Sequence, residues 1–208
     1  ERMLLDQENE KYANITFYED TLLWIGREYQ KRHIKYVEIS DTTLVKKDAS
    51  AARMLEQIHH ILPLVKEETG VDIRFLAAIR RIPLTLVKQN ITSGNYLTEA
   101  IQALKVVCKD PYVVGSDFIG EEINDISELK PVIRELVQYA VTEDVGFTVR
   151  IHAGENDCLR ENVARSIECI KDSLKPGQKM PPFRLGHGLY TADLNSNEGK
   201  KLMKELVD

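Results

Sequence analysis

Apolar residues recur at two alternating periods along this chain. Between residues 17 and 33, Phe17, Leu22, Ile25 and Tyr29 fall at roughly helical spacing, and the run Ile34-Lys-Tyr-Val-Glu-Ile39 that follows reads as a short strand. Met54, Leu55, Ile58, Ile61, Leu62 and Val65 then step by threes and fours around a second helix, which Pro63 is expected to kink and Gly70 to end. Residues 71–79 are β-rich and nearly all apolar, the pattern of a strand buried on both faces.

Three further units repeat the alternation. Leu97, Ala100, Ile101, Leu104 and Val107 form a helical stripe ahead of the strand Tyr112-Val-Val-Gly115. Leu129, Val132, Ile133, Leu136, Val137 and Ala140 form another, capped by Ser127 or Asp125, ahead of Phe147-Thr-Val-Arg-Ile151. Val163, Ile167 and Ile170 mark a helix, a Gly-, Lys- and Pro-rich loop covers residues 171–182, Phe183-Arg-Leu185 forms a last strand, and Leu202, Met203 and Leu206 suggest a closing helix.

Helix and strand thus alternate about five times, which predicts an α/β fold of parallel (β/α) repeats joined by right-handed crossovers. A doubly wound sheet and a (β/α)8 barrel both fit that order. No Gly-rich dinucleotide fingerprint follows the first strands, and no phosphate-cradling loop occurs. Polar placement favours the barrel: Asp41, Asp117, His152 and His187 sit at or just past the carboxyl ends of predicted strands, the edge where barrel enzymes gather their chemistry. Five strands do not close a barrel that typically takes about 250 residues. Residues 1–208 are therefore expected to form a single domain that is a partial TIM barrel. It should have two open edges and an apolar inner face, covered by strands from another segment or chain, or by self-association.

Composition narrows the class. At 208 residues, 43% hydrophobic and 29% charged, the chain can bury a core and is neither disordered nor collagen-like. No apolar run approaches the roughly 20 residues of a membrane span, and the acidic first ten residues lack a secretion-signal layout, so a soluble, cytoplasmic protein is expected. A formal charge of −5 with mixed signs argues against bulk nucleic-acid binding. Cys108, Cys158 and Cys169 are too scattered for a disulfide framework or a thiolate metal knuckle. The sequons Asn14-Ile-Thr16 and Asn90-Ile-Thr92 are short enough to arise by chance.

Three strand-end motifs carry candidate chemistry. In His152-Ala-Gly-Glu155 the imidazole is the last inward residue of a strand and the carboxyl stands one step beyond it. An imidazole can ligate zinc and a nearby carboxyl can be tuned as a general acid. Leu185-Gly-His-Gly188 places a second histidine at the next strand end, between glycines that admit close approach. In Val113-Val-Gly-Ser-Asp117-Phe-Ile-Gly120-Glu-Glu122 an acidic residue ends the preceding strand, and Gly120 can present its N–H to a ligand. One strand-end histidine is ordinarily a structural, hydrogen-bonded residue. Two on successive strands beside a glutamate are harder to account for that way.

Taken in order, these motifs resemble the consecutive strand-end motifs of the adenosine deaminase group of zinc-dependent (β/α)8 hydrolases, and Tyr36-Val-Glu-Ile39 resembles an earlier strand of that barrel. Alanine after His152 is more similar to the nucleoside deaminases than to the adenylate deaminases. The resemblance implies a metal-dependent hydrolase type of barrel, with one Zn2+ ion and hydrolytic deamination of adenosine or a related nucleoside or nucleotide, releasing ammonia. It implies His152 as a zinc ligand and Glu155 as the acid that protonates a purine ring nitrogen. His187 would orient or deprotonate the attacking water, Gly120 would donate its N–H to the purine, and Asp117 would support the site. Arg80 and Arg81 can line the rim, although a solvated basic pair is the simpler expectation.

The chain departs from that pattern in places. It has no His-x-His on a first strand, since His33 stands alone and His59 and His60 are adjacent on a helix, and no Asp-Asp pair on a last strand. A catalytic zinc takes about three protein ligands, so this chain alone is expected to bind zinc weakly and to turn over little. Ser40-Asp41-Thr42-Thr43 stands where relatives tend to carry an Arg and a Ser-Pro, and the loop over 171–182 reads as an insertion able to contact another domain. Two other readings stay open: a noncatalytic module that binds a purine or a partner, and a related hydrolase acting on another C–N bond.

Overall fold

A computed structural model describes residue 12 and residues 14–46, 49–81, 93–143, 146–191 and 193–207, with the backbone alone for 93–99. The acidic first ten residues, the second sequon and the Leu97 side chain lie outside the described parts. The elements run α1 (Phe17–Lys31), β1 (Tyr36–Asp41), α2 (Ala49–Thr69), β2 (Asp72–Arg80), α3 (Ser93–Val107), β3 (Val113–Ile119), α4 (Lys130–Thr142), β4 (Thr148–Ala153), α5 (Asn162–Lys171), β5 (Phe183–His187) and α6 (Asn197–Val207). The strands form one sheet in the order β1-β2-β3-β4-β5, every neighbouring pair parallel, as the alternation predicts. No described helix is long and apolar enough to cross a membrane.

Local chemistry sets the element ends. Thr16 and Glu19 close a capping box at α1, the Thr16 hydroxyl accepting from the Glu19 N–H at 3.3 Å and the Glu19 carboxylate from the Thr16 N–H at 2.5 Å. His33, at φ 60°, ends the same helix in the left-handed region, its N–H donating to the Gln30 carbonyl at 3.0 Å, so this lone histidine is a cap. α2 continues through Pro63 as one helix, and Gly70, at φ 69°, ends it. Asp125, rather than Ser127, caps the short turn before α4, accepting from the Ser127 N–H at 2.9 Å.

The two faces of the sheet differ. Ile73, Phe75, Ala77 and Ile79 of β2, Phe118 of β3 and Val149, Ile151 and Ala153 of β4 pack with the helices in the main core. A fully buried aliphatic or aromatic side chain is worth about 1.5–3 kcal/mol, so this face carries most of the fold's stability. Alternate residues Leu76 and Ala78 are also fully buried but point to the other face, as the apolar run of β2 predicts.

That other face is concave. Arg184 of β5 forms an ion pair with Glu38 of β1, at opposite edges of the sheet. Four strand spacings of about 4.8 Å would hold those edges roughly 19 Å apart if the sheet were flat. The pair therefore reports strong curling, consistent with a partial β/α barrel. The inner face is mixed rather than apolar throughout. By register and contacts Leu76 and Ala78 of β2 share it with Tyr36, Glu38, Ser40, Arg74, Asp117, Arg150, His152 and Arg184. Within the described residues the lining offsets its charges through pairs across the concavity. Residues 171–182 fold back onto α4, where Gln138 donates to the Ser173 carbonyl at 2.7 Å and to Gln178 at 2.8 Å.

Candidate functional site

The carboxyl ends of β3, β4 and β5 lie side by side, Asp117 in register with Arg150 and His152 with Gly186. Asp117 is 1% exposed, yet both its oxygens are occupied. Oδ1 accepts from His152 Nδ1 at 2.9 Å and Oδ2 from the Ser40 hydroxyl at 2.6 Å, while the Arg150 guanidinium stands 3.6 Å from Oδ2. Ser40, Asp117 and His152 come from β1, β3 and β4, so curling of the sheet is what assembles this cluster.

These bonds fix the state of the imidazole. Nδ1 also lies 3.1 Å from the Phe118 carbonyl, which can only accept. Nδ1 therefore carries a hydrogen, and in the neutral ring the lone pair is on Nε2. A histidine that donates one ring N–H to a carboxylate and leaves the other nitrogen bare is prepared as metal ligands commonly are. The Asp117 hydrogen bond raises the His152 pKa above its ordinary value, working against burial, which lowers it, and aided by the Asp117 charge. Gly186 makes room for the ring: a Cβ there would stand 2.5 Å from His152 Cδ2.

His187 follows one residue later on β5. Its ring centroid is 5.3 Å from that of His152, the planes at 60°, and its Nε2 is 3.9 Å from Glu155 Oε2. His187 and Gly188 have φ of 65° and 67°. Left-handed backbone at a histidine costs energy and recurs at functional sites. Here it turns the chain so that Gly188 N–H reaches the Ala153 carbonyl and Tyr190 N–H the Gly154 carbonyl, each at 2.9 Å, extending the β4–β5 pairing past the strands. Glu155 and His187 remain about half exposed in their side chains.

His152, Asp117, His187 and Glu155 thus form one continuous cluster. Gly120 stands at the same rim, exposed, with φ 95°. Asp41, also at a strand end, is used as a cap, accepting from the Thr43 N–H at 2.7 Å. A hollow of about 310 Å³ opens on the Glu155 side, lined by Glu121, Glu122, Ile123, Asp157 and Tyr190 among others; the two imidazoles stand outside its wall.

Arg80 and Arg81 do not form the solvated pair expected. Arg80 is exposed, but Arg81 is fully buried, its guanidinium donating to Asn124 Oδ1 at 3.1 Å, the Asn124 carbonyl at 2.8 Å and the His152 carbonyl at 2.8 Å. Burial lowers its pKa, opposed by the charges of Glu122, Glu155 and Asp125. Two further residues, Glu122 and Asn162, hold the site although the sequence assigns them no role. Glu122 accepts from the backbone N–H groups of Gly154, Glu155 and Asn156 at 3.1, 2.8 and 2.9 Å and from the Asn162 amide at 2.9 Å. Asn162 also donates to the Asn124 carbonyl and accepts from Ile126 N–H. Glu122 lies inside the Gly120-Glu-Glu run, but spacing alone does not say which glutamate turns inward.

A zinc ion can be tested against these donors. His152 Nε2 fits a ligand and His187 stands near it, but among the described residues no group of three His, Cys, Asp or Glu is placed to hold a metal. The donor set present fits part of a zinc site and not a whole one. Compared with known proteins, the chain matches no family profile and no curated protein sequence.

Proposed function

We propose that this chain is the central part of a zinc-dependent deaminase barrel acting on adenosine or a related adenine nucleoside or nucleotide, with the ligands missing here supplied by other strands. The single observation that carries the reading is the convergence at one rim of an Nδ1-protonated His152, a second imidazole 5.3 Å away and a carboxyl 3.9 Å from that second ring. Zinc, when bound, would supply an activated water at neutral pH. The chain's own residues would do the rest. Glu155, in its protonated form, would give a proton to a purine ring nitrogen as the water oxygen bonds to the carbon bearing the amino group. That C–N bond would then break, the amino group leaving as ammonia with the proton the water has lost and the new hydroxyl returning its proton to Glu155. His187, facing Glu155, would orient the attacking water or take its proton. Gly120, at the rim with a left-handed backbone, would offer its N–H to the base, and Asp117 would hold His152 in its ligand form.

The experiment is turnover of adenosine with added zinc by the polypeptide in its full coding context, followed as the absorbance change from adenosine to inosine. Glu155→Gln is expected to lower kcat by about 10²–10⁴, the usual worth of a general acid. Undiminished turnover in that variant contradicts the assignment. A second reading, a noncatalytic purine-binding module, is favoured by one observation, the lack of a three-ligand cluster among the described residues. Purine binding without turnover, with all ligands present, would establish it.

A further inference from the structure

We propose that Glu122 is the positioning residue for Glu155: a buried carboxylate around which the loop after β4 is wound, and which sets where the Glu155 carboxyl points. The purpose of that aim rests on the deaminase reading above; the geometry does not.

Glu122 is 3% exposed, and its carboxylate gathers three consecutive backbone N–H groups and one side-chain amide. Successive N–H groups converging on one anion form a nest, and a nest fixes the φ and ψ of the residues that build it. Gly154, at φ 74°, supplies the left-handed step this requires. A side chain in its place would be strained by that φ and crowded as well, because a Cβ would lie 3.0 Å from Val163 Cγ2 and 3.1 Å from both the Gly188 Cα and the Tyr190 carbonyl oxygen.

The loop is held from its other sides as well. Arg81 donates to the His152 carbonyl, and the Ala153 and Gly154 carbonyls accept from Gly188 and Tyr190. With the backbone fixed at every one of these points, the Glu155 side chain leaves the loop in a set direction, toward His187.

Water could have served the same three amides, since the loop borders the solvent-open hollow. Burying a carboxylate there is costly unless it is fully hydrogen-bonded, as this one is. What a buried anion provides and water does not is a single conformation. Asn162 completes the device by orienting Glu122 from the first turn of α5.

Backbone amide exchange and NOE measurements on the chain, without zinc or purine, test this. In the wild type the Glu155 and Asn156 amides should be protected like those of β4, and a Glu155–His187 NOE should be present. In Glu122→Gln an amide nitrogen must face backbone N–H groups. Protection at 154–156 should then fall about tenfold or more relative to the α1 and α2 amides, with the NOE lost. Ile133→Val, a core change of smaller size, should leave that local ratio and the NOE in place. Unchanged protection and an unchanged NOE in Glu122→Gln overturn the proposal. If that variant does not fold, Glu122→Asp, which keeps the charge but withdraws the oxygens, is read in the same way. Free-loop exchange at 155 and 156 in the wild type overturns it outright. Failure of the polypeptide in its full coding context, with all zinc ligands present, to bind zinc or purine would sink the deaminase reading and leave this result standing.

Discussion

Two histidines of this chain bond a buried carboxylate through Nδ1, one in the helical layer and one at the sheet rim. His60 on α2 meets Glu19 on α1 at 2.5 Å, and His152 on β4 meets Asp117 on β3 at 2.9 Å. The first imidazole is 64% exposed in its side chain and the second 19%. In the helical layer the carboxylate is the group being served, since Glu19 already closes the α1 capping box and His60 is one more donor from solvent. At the rim the imidazole is served: Asp117 and the Phe118 carbonyl choose its tautomer and leave Nε2 bare. The same pairing of a carboxylate with an imidazole is a helix cap in one place and a prepared ligand in the other, and burial of the ring separates them.

The two pairs also answer pH with opposite sign. Burial raises the Glu19 pKa, but the Thr16 N–H and His60 outweigh it and hold the carboxyl below its ordinary value of about 4.5. A lowered carboxyl gives stability that is present above the ordinary pKa and is lost as pH falls through the folded one. His152 is raised above its ordinary 6.5 by Asp117, so its contribution is full below 6.5 and is lost as pH rises through the folded value. Acid should loosen the α1–α2 layer, and mild alkali the rim.

The contrast can be broken in three places, and the largest effect is expected from Arg81. Arg81→Met leaves the His152 carbonyl and the Asn124 side-chain oxygen without their buried donor and the Asn124 carbonyl with Asn162 alone, and should cost about 2–5 kcal/mol in urea unfolding, at roughly 1–3 kcal/mol for each stranded acceptor. A loss under about 1 kcal/mol, within the range of an exposed surface pair, would show the guanidinium to be solvated after all. Asp117→Asn should cost about 1–3 kcal/mol and move the His152 titration down toward its ordinary value, as followed by NMR of the ring protons. An unmoved midpoint would deny Asp117 its control of the ring. His60→Ala removes an exposed partner and should cost no more than about 1 kcal/mol, leaving the cap intact by amide exchange at Glu19. A loss as large as that of Asp117→Asn would erase the distinction between the regions.

Periodicity exposed the frame because each helix and strand carries its own apolar repeat. The order of elements, the double burial of β2 and the placing of His152 and His187 at adjacent strand ends all follow from residues within one segment. What periodicity does not carry is contact between segments. The polar concave face depends on Glu38 meeting Arg184 across the sheet, 146 positions apart. The inward turn of Arg81 depends on carbonyls of Asn124 and His152, and that of Glu122 on three amides more than 30 positions away. A charged residue beside another, as in Arg80-Arg81 or Glu121-Glu122, looks alike in sequence whichever of the two is buried.

The tautomer of His152 bears most directly on all of this, and a long-range 1H–15N spectrum of the imidazoles at a pH above the His152 titration reads it. The account predicts a neutral ring protonated at Nδ1, against the Nε2–H form that histidine prefers in water, with zinc addition moving the Nε2 resonance of His152. A neutral ring protonated at Nε2 would contradict it, because that nitrogen could then not ligate a metal beside His187 and Glu155.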